Sequence, residues 1–194
     1  MDYSTEAPFD EPELIRHARL GENLAWIRLV RQHQEPLFRF AYLLLGDPDE
    51  AEDVAQETFI RAYRALERFD AQRPLRPWLL RIASNLASNR RRSLGRYYTS
   101  LQSAIQEEKP AQSSEEHQSD QAGKARKVWQ AVRQLKPADA QVIYLRSFLE
   151  LSTEETAQAM NVPEGTVKSR LHRANGRLRR VIEQRYPELK EGWE

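Results

Sequence analysis

The chain has no cysteine in its 194 residues, which removes disulfides, thiol nucleophiles and cysteine-ligated zinc together. Glycine is scarce, at seven residues, the ten prolines cluster outside the periodic segments, and no stretch sustains the alternating pattern of a strand. Long apolar runs are also missing. The longest, around residues 42–45, is far too short to cross a bilayer, so no membrane insertion is expected. The opening MDYSTEAPFDEPE is acidic and lacks the apolar centre of a signal peptide, which predicts a cytoplasmic protein. Neither sign of charge dominates: 30 basic and 29 acidic residues leave +1, so any role with nucleic acid depends on where the charges sit. The four histidines are scattered without helical pairing, and no metal, cofactor or small-molecule substrate is expected.

What remains is helical periodicity in two blocks. An all-α fold is predicted, with two small helical domains joined by a flexible linker and a helix-turn-helix in the second. Residues 1–13 read as a polar, mobile tail and 14–96 as the first domain. Residues 97–123 read as an acidic linker, in which 106–121 carry five acids against Lys109 among Gln and Ser. Residues 124–186 form the second domain and 187–194 a tail. Within the first domain, Pro36 predicts a kink or break between two helices, Gly46 ends that segment, and Asp47-Pro48 starts the next.

The chain is organised around residues 151–180. Ser152 and Glu155 form a capping box that predicts a helix from Thr153, burying Thr156, Ala157 and Met160. Asn161 stands where the chain must turn through a left-handed conformation. The helix after Val162-Pro163 carries Val167, Leu171, Ala174 and Leu178 as one apolar stripe. Ser169, His172, Arg173, Gly176 and Arg180 point away from it, flanked by Lys168, Arg170, Arg177 and Arg179. From 161 to 180 there are six Lys or Arg against one acid, Glu164. Such a helix suits a major groove, with cations for phosphates and polar tips for base edges. Gly176 costs about 1 kcal/mol inside a helix and predicts fraying of its C-terminal end.

Residues 47–57 hold six carboxylates, at 47, 49, 50, 52, 53 and 57, and no cation. The helix dipole accounts for the first of them. It does not account for Asp53 and Glu57, one turn apart beside an outward Ile60. With Asp49 and Gln56 they predict a protein-docking face. Opposite it, Ala51, Val54, Ala55, Thr58, Phe59, Ala62, Tyr63 and Leu66 make a core stripe. Residues 69–77 read as a loop, and Pro77 opens a helix with Trp78, Leu79, Ile82, Ala83 and Leu86 inside. Asn85 and Asn89 on its flank, with Arg81, Arg91 and Arg92 outward, suit a single strand: amides for splayed bases, cations for phosphates.

The two halves together resemble the bacterial RNA polymerase sigma-70 family, in particular its small extracytoplasmic-function (ECF) sigma factors. The likeness spans roughly residues 20 to 182. FRFAYLLLGDPDEAEDVAQETFIRAYRAL is similar to the family's first helices, PWLLRIASNLASNRRR to its promoter-melting helix, and VIYLRSFLELSTEETAQAMNVPEGTVKSRLHRA to its helix-turn-helix. The resemblance implies binding of core RNA polymerase, at the β′ coiled coil and the β subunit, through Asp49, Asp53, Gln56, Glu57 and Ile60. It implies capture of the opened −10 element by Phe69, Arg76, Trp78, Arg81, Asn85, Asn89, Arg91 and Arg92. Duplex −35 reading falls to Thr166, Lys168, Ser169, Arg170, His172, Arg173 and Arg177. It also implies a cognate anti-sigma factor and no catalysis by the chain itself. An autonomous helix-turn-helix regulator is the alternative, and predicts operator binding without polymerase. A hydrolase or nuclease would need a group facing the acids at 47–57, and the sequence offers none.

Overall fold

The computed structural model describes residues 10–102 and 120–190, with side chains at 10–93 and 123–189. The expectations for the tail at 1–9, the linker at 103–119 and the end at 191–194 lie outside the described residues. Among those described, helices and turns make up the architecture and no strand occurs. The chain divides into two compact units, Met1–Leu86 and Ala87–Glu194.

The first unit contains α1 (Glu11–Arg19), α2 (Asn23–Leu45), α3 (Pro48–Ala65), a 3-10 turn (Leu66–Arg68) and the start of α4 (Leu75–Gln102). Asp10 caps α1 by accepting from the Glu13 amide at 2.9 Å, so this helix starts ahead of residue 14, the expected start of the first domain. Pro36 does not break α2, which runs through it unbroken. Leu29 and His33 before the proline, and Leu37, Phe40 and Ala41 after it, bury on one face. That burial outweighs the roughly 3 kcal/mol an internal proline costs. Gly46 ends the helix at φ 79°, its amide donating to the Tyr42 carbonyl at 2.8 Å. Asp47 then caps α3 through the Glu50 amide at 2.9 Å. The α3 stripe buries as expected except at its edge: Phe59 is half-buried and Tyr63 is exposed, lying against Trp26 at a ring separation of 5.1 Å. Helix α4 opens at Leu75, two residues before Pro77, because Leu75, Leu79 and Leu80 are all buried. It continues to Gln102, past the expected linker start at 97.

The second unit contains α5 (Asp120–Arg133), α6 (Pro137–Ile143), a π-turn (Tyr144–Phe148), α7 (Thr153–Met160), α8 (Glu164–Arg185) and a 3-10 turn (Pro187–Lys190). Val132, Val142, Ile143, Tyr144, Leu145 and Leu151 fill its centre. The fraying expected at Gly176 does not occur: α8 continues to Arg185. Ile182 is the reason. It packs with Ala131 and Leu189 in a cluster that Val128, Leu178, Val181 and Tyr186 surround, which anchors the helix beyond the glycine.

Candidate nucleic-acid and protein-docking surfaces

The helix-turn-helix is built from local chemistry. The Ser152 amide donates to Glu155 Oε2 at 2.7 Å while the Glu155 amide donates to Ser152 Oγ at 3.1 Å, a complete capping box. Asn161 takes φ 53° and ψ 50°, and the Val162 amide reaches back to the Ala157 carbonyl at 3.0 Å. This reversal closes α7 and sends the chain into α8. Val167 and Ala174 are buried beneath α8, with Leu171 and Leu178 partly covered. Lys168, Ser169, His172 and Arg173 stand exposed on the far side, with Thr166 and Arg170 half-buried at its edges. Arg173 Nε donates to the Ser169 carbonyl at 3.2 Å, which lays the guanidinium along the exposed face. Arg177 does not join them. Its Nη1 donates to Asp139 Oδ2, and the Asp139 side chain is only 8% exposed, so this cation turns toward the first turn of α6.

On α3, Asp49, Asp53, Gln56 and Ile60 are exposed and Glu57 is half-buried. Ile60 is 46% exposed, an aliphatic one turn beyond Gln56 and Glu57. Gln56 Nε2 donates to Glu52 Oε1 at 3.2 Å, and Arg61 Nε to Glu57 Oε1 at 2.7 Å. Arg61 thus partly neutralises the face. The sequence carried that signal in the i, i+4 spacing of Glu57 and Arg61, which the acid count at 47–57 stops short of.

Along α4, Arg81, Asn85, Asn89, Arg91 and Arg92 are exposed. Arg92 Nη2 donates to Asn89 Oδ1 at 2.6 Å, which engages that amide oxygen within the helix. Trp78 and Arg76 are half-buried, and the Arg76 Nε is sealed from solvent. Phe69 is not available as a contact: it is 8% exposed, with its ring 4.6 Å from that of Trp78. The aromatic pair closes the hydrophobic core under the loop, because a large ring at the loop base gains more from burial than from solvent. The exposed residues of the loop at 69–74 are Asp70, Gln72, Arg73 and Pro74, none of them in the set expected to meet the −10 element. Asp70 organises them, accepting from the Gln72 amide at 3.1 Å on its side chain and from the Arg73 amide at 3.0 Å on its carbonyl.

Two residues of α1 reach this loop as well. Arg19 Nε donates to the Leu66 carbonyl at 3.0 Å, and its Nη2 to the Phe69 carbonyl. Glu11 Oε1 accepts from the Leu75 amide at 2.8 Å, while Oε2 lies 3.0 Å from Nε2 of the buried His33. Burial pushes the Glu11 carboxyl up, but the hydrogen bonds from His33 and Leu75 outweigh it and hold the group below its ordinary value. No local pattern marks these contacts in the sequence. Among the described residues no three His, Asp or Glu gather as a metal site, and no helix is long and apolar enough to cross a membrane.

Residues 29–97 match the family model of sigma-70 region 2, and residues 125–178 that of sigma-70 region 4. The ECF RNA polymerase sigma factor SigW of Bacillus subtilis is 33% identical over 176 residues, covering 87% of this chain and 94% of that one. SigL of Mycobacterium tuberculosis is 36% identical over 157 residues, covering 80% of this chain and 88% of that one. Among solved structures, CnrH in complex with the cytosolic domain of CnrY has a TM-score of 0.69 at 24% identity, covering 90% of this chain and 98% of that one. The sigma factor RpoE in complex with the anti-sigma factor NepR from Bartonella quintana scores 0.63 at 24% identity, covering 80% of this chain and 95% of that one. These two likenesses concern the fold. The family follows from the relatives that match nearly end to end: this chain belongs to the sigma-70 family as an ECF RNA polymerase sigma factor.

Proposed function

We propose that the chain binds core RNA polymerase through the exposed face of α3 and directs it to promoters that it reads in two places. The helix α8 takes the −35 element as duplex, through Lys168, Ser169, Arg170, His172 and Arg173, with Thr166 at the helix start. The loop at 69–74 and the exposed face of α4, with Arg81, Asn85, Asn89, Arg91 and Arg92, take the −10 element as an opened strand. The first domain, read as 14–96, then carries polymerase binding and −10 capture, the second, read as 124–186, carries −35 reading, and the residues between act as a linker. The observation that carries this reading is the separation of charge by face. Asp49, Asp53, Gln56 and Glu57 run along α3 toward an exposed aliphatic, Ile60, while cations and hydrogen-bonding tips fill the exposed side of α8.

The chain acts as an initiation factor without chemistry of its own, working in the cytoplasm where polymerase and promoter meet. CnrH and RpoE are each seen with a protein partner, and a cognate anti-sigma factor is proposed here on that likeness. Mixing the purified chain with bacterial core polymerase and a promoter library, then sequencing run-off transcripts, tests the whole reading. Starts sharing paired −35 and −10 elements are expected. Absence of stimulation, together with tight polymerase-free binding to half-sites about one helical turn apart, would assign the chain to autonomous regulators instead.

A further inference from the structure

Helix α1 grips both ends of the loop at 69–74. Arg19, its last residue, holds the Leu66 and Phe69 carbonyls on the entering side. Glu11, its first residue, holds the Leu75 amide where α4 begins, and is itself fixed by His33, which is 5% exposed. All three contacts on the loop side are backbone groups: the carbonyl that opens the 3-10 turn, the one that follows its last residue, and an amide at a helix start. They therefore set where the loop lies without depending on its side chains. The eight-residue step from Glu11 to Arg19 is a rigid strut of about 12 Å, so the two ends are gripped at a fixed separation. Between them Asp70 shapes an internal turn that leaves Gln72 and Arg73 exposed, with Arg73 Nε 3.3 Å from Asp70 Oδ2. The strut lies outside the region 2 match, which begins at residue 29.

We propose that Glu11 and Arg19 are positioning residues for −10 reading: they fix the place and angle at which the loop meets the opened strand. This rests on the assignment of that loop to the −10 element. The charge on Arg19 is spent on carbonyls and the Glu11 carboxylate on an amide, so neither residue touches the nucleic acid; both act through the loop between them.

The test uses holoenzyme reconstituted with the full chain carrying Arg19→Ala, Glu11→Ala, Arg19→Lys or Glu11→Gln. Run-off transcription is measured on promoters with single −10 substitutions and, separately, single −35 substitutions, alongside core-polymerase affinity and thermal unfolding. Each alanine variant is expected to lower discrimination at one or two −10 positions by about tenfold, the scale of one lost base preference. Discrimination at −35 and affinity for core polymerase stay as in the parent. Glu11→Gln keeps an oxygen for the Leu75 amide and is expected to retain most of the preference. If Arg19→Ala does not fold, Arg19→Lys carries the test, since a single ammonium nitrogen does not reproduce the two separated donors, Nε and Nη2, with which the rigid guanidinium serves the two carbonyls.

Unchanged −10 discrimination in the folded variants would overturn the proposal. So would a parallel decline of −10 reading, −35 reading and polymerase affinity that tracks lost stability. Gln72→Ala with Arg73→Ala separates the two levels. If this loop-tip change alters −10 discrimination and the α1 variants do not, positioning by α1 fails alone. If neither does, the loop is not the −10 site and the reading beneath the proposal fails with it.

Discussion

Replacing Arg177 with Ala strands a carboxylate that has almost no route to water. The Asp139 side chain is 8% exposed, whereas that of Arg177 is 40% exposed. Removing one partner of a fully buried pair costs about 3–5 kcal/mol, because the remaining charge is uncompensated. Asp139 lies in the first turn of α6, where the helix dipole returns about 0.3–1 kcal/mol to an anion, and the pair is open to solvent on one side. Arg177→Ala should then cost about 2 kcal/mol. Asp139→Ala should cost less, about 1 kcal/mol, since the freed guanidinium can swing into water. The double variant should resemble Asp139→Ala alone, because the stranded carboxylate is gone. Amide hydrogen exchange resolves this within α6 and α8 without requiring the whole chain to unfold in one step. The expected loss of protection is about 30-fold for Arg177→Ala and about fivefold for Asp139→Ala. Equal losses would refute the asymmetry. Full protection in Arg177→Ala, together with weaker −35 binding, would return Arg177 to the DNA-facing set.

Reversing Asp53 and Glu57 to Lys should abolish binding to core polymerase in a pull-down while leaving the helical circular dichroism intact. The Glu57–Arg61 pair it breaks is exposed and worth at most about 1 kcal/mol, and unchanged affinity would remove the docking role of α3. Arg173→Ala, tested in holoenzyme across a −35 substitution series, should cost about 1–3 kcal/mol and relax preference at one base pair; a uniform loss across the series would place Arg173 on phosphate. Glu11 predicts an acid limb in stability. Its folded value lies below the ordinary 4.5, so its contribution is complete above that pH and is lost as pH falls through the folded value. Urea midpoints followed down the acid range should show this limb in the parent and lack it in Glu11→Gln; identical profiles would remove the carboxylate from the linkage.

The turn between α7 and α8 depends on near neighbours along the chain and was legible in advance. The capping box joins Ser152 to a residue three positions on, and the left-handed turn at Asn161 follows from backbone sterics at a single residue. The two punctuation signals that misled, Pro36 and Gly176, are local costs of about 1–3 kcal/mol set against tertiary burial. Phe40 and Ala41 beyond the proline, and Ile182 beyond the glycine, supply that burial, and nothing in a short window weighs it. Periodicity also gives an angle, not a neighbour. Tyr63 shares the angle of the α3 core but lies exposed against Trp26, while Phe69, read as part of a loop, meets Trp78 and closes inward. Arg177 found its partner 38 residues away, and Glu11 its amide 64 residues away. Such pairings become visible only once the helices are packed.

A formal charge of +1, from 30 basic and 29 acidic residues, conceals two surfaces of opposite sign. On α3 the exposed carboxylates would repel a phosphate backbone, and on α8 the cations would repel a basic protein partner; each surface excludes the other's ligand. Neither DNA reading proposed here has the extent of a dimeric repressor, in which two recognition helices sit one turn apart on the duplex. Their strength must come from being held together. Once polymerase fixes the two readings at promoter spacing, engagement of one makes the other intramolecular, and such coupling raises avidity by about 10² to 10⁴ without a new contact. Weak individual contacts then become an advantage. A chain that bound duplex tightly through α8 alone would occupy −35-like sequences without polymerase, whereas one that needs both elements commits only where the spacing is right. On this argument the moderate size of the set proposed for −35 reading, Lys168, Ser169, His172 and Arg173 exposed with Thr166 and Arg170 at the edges, is part of the specificity.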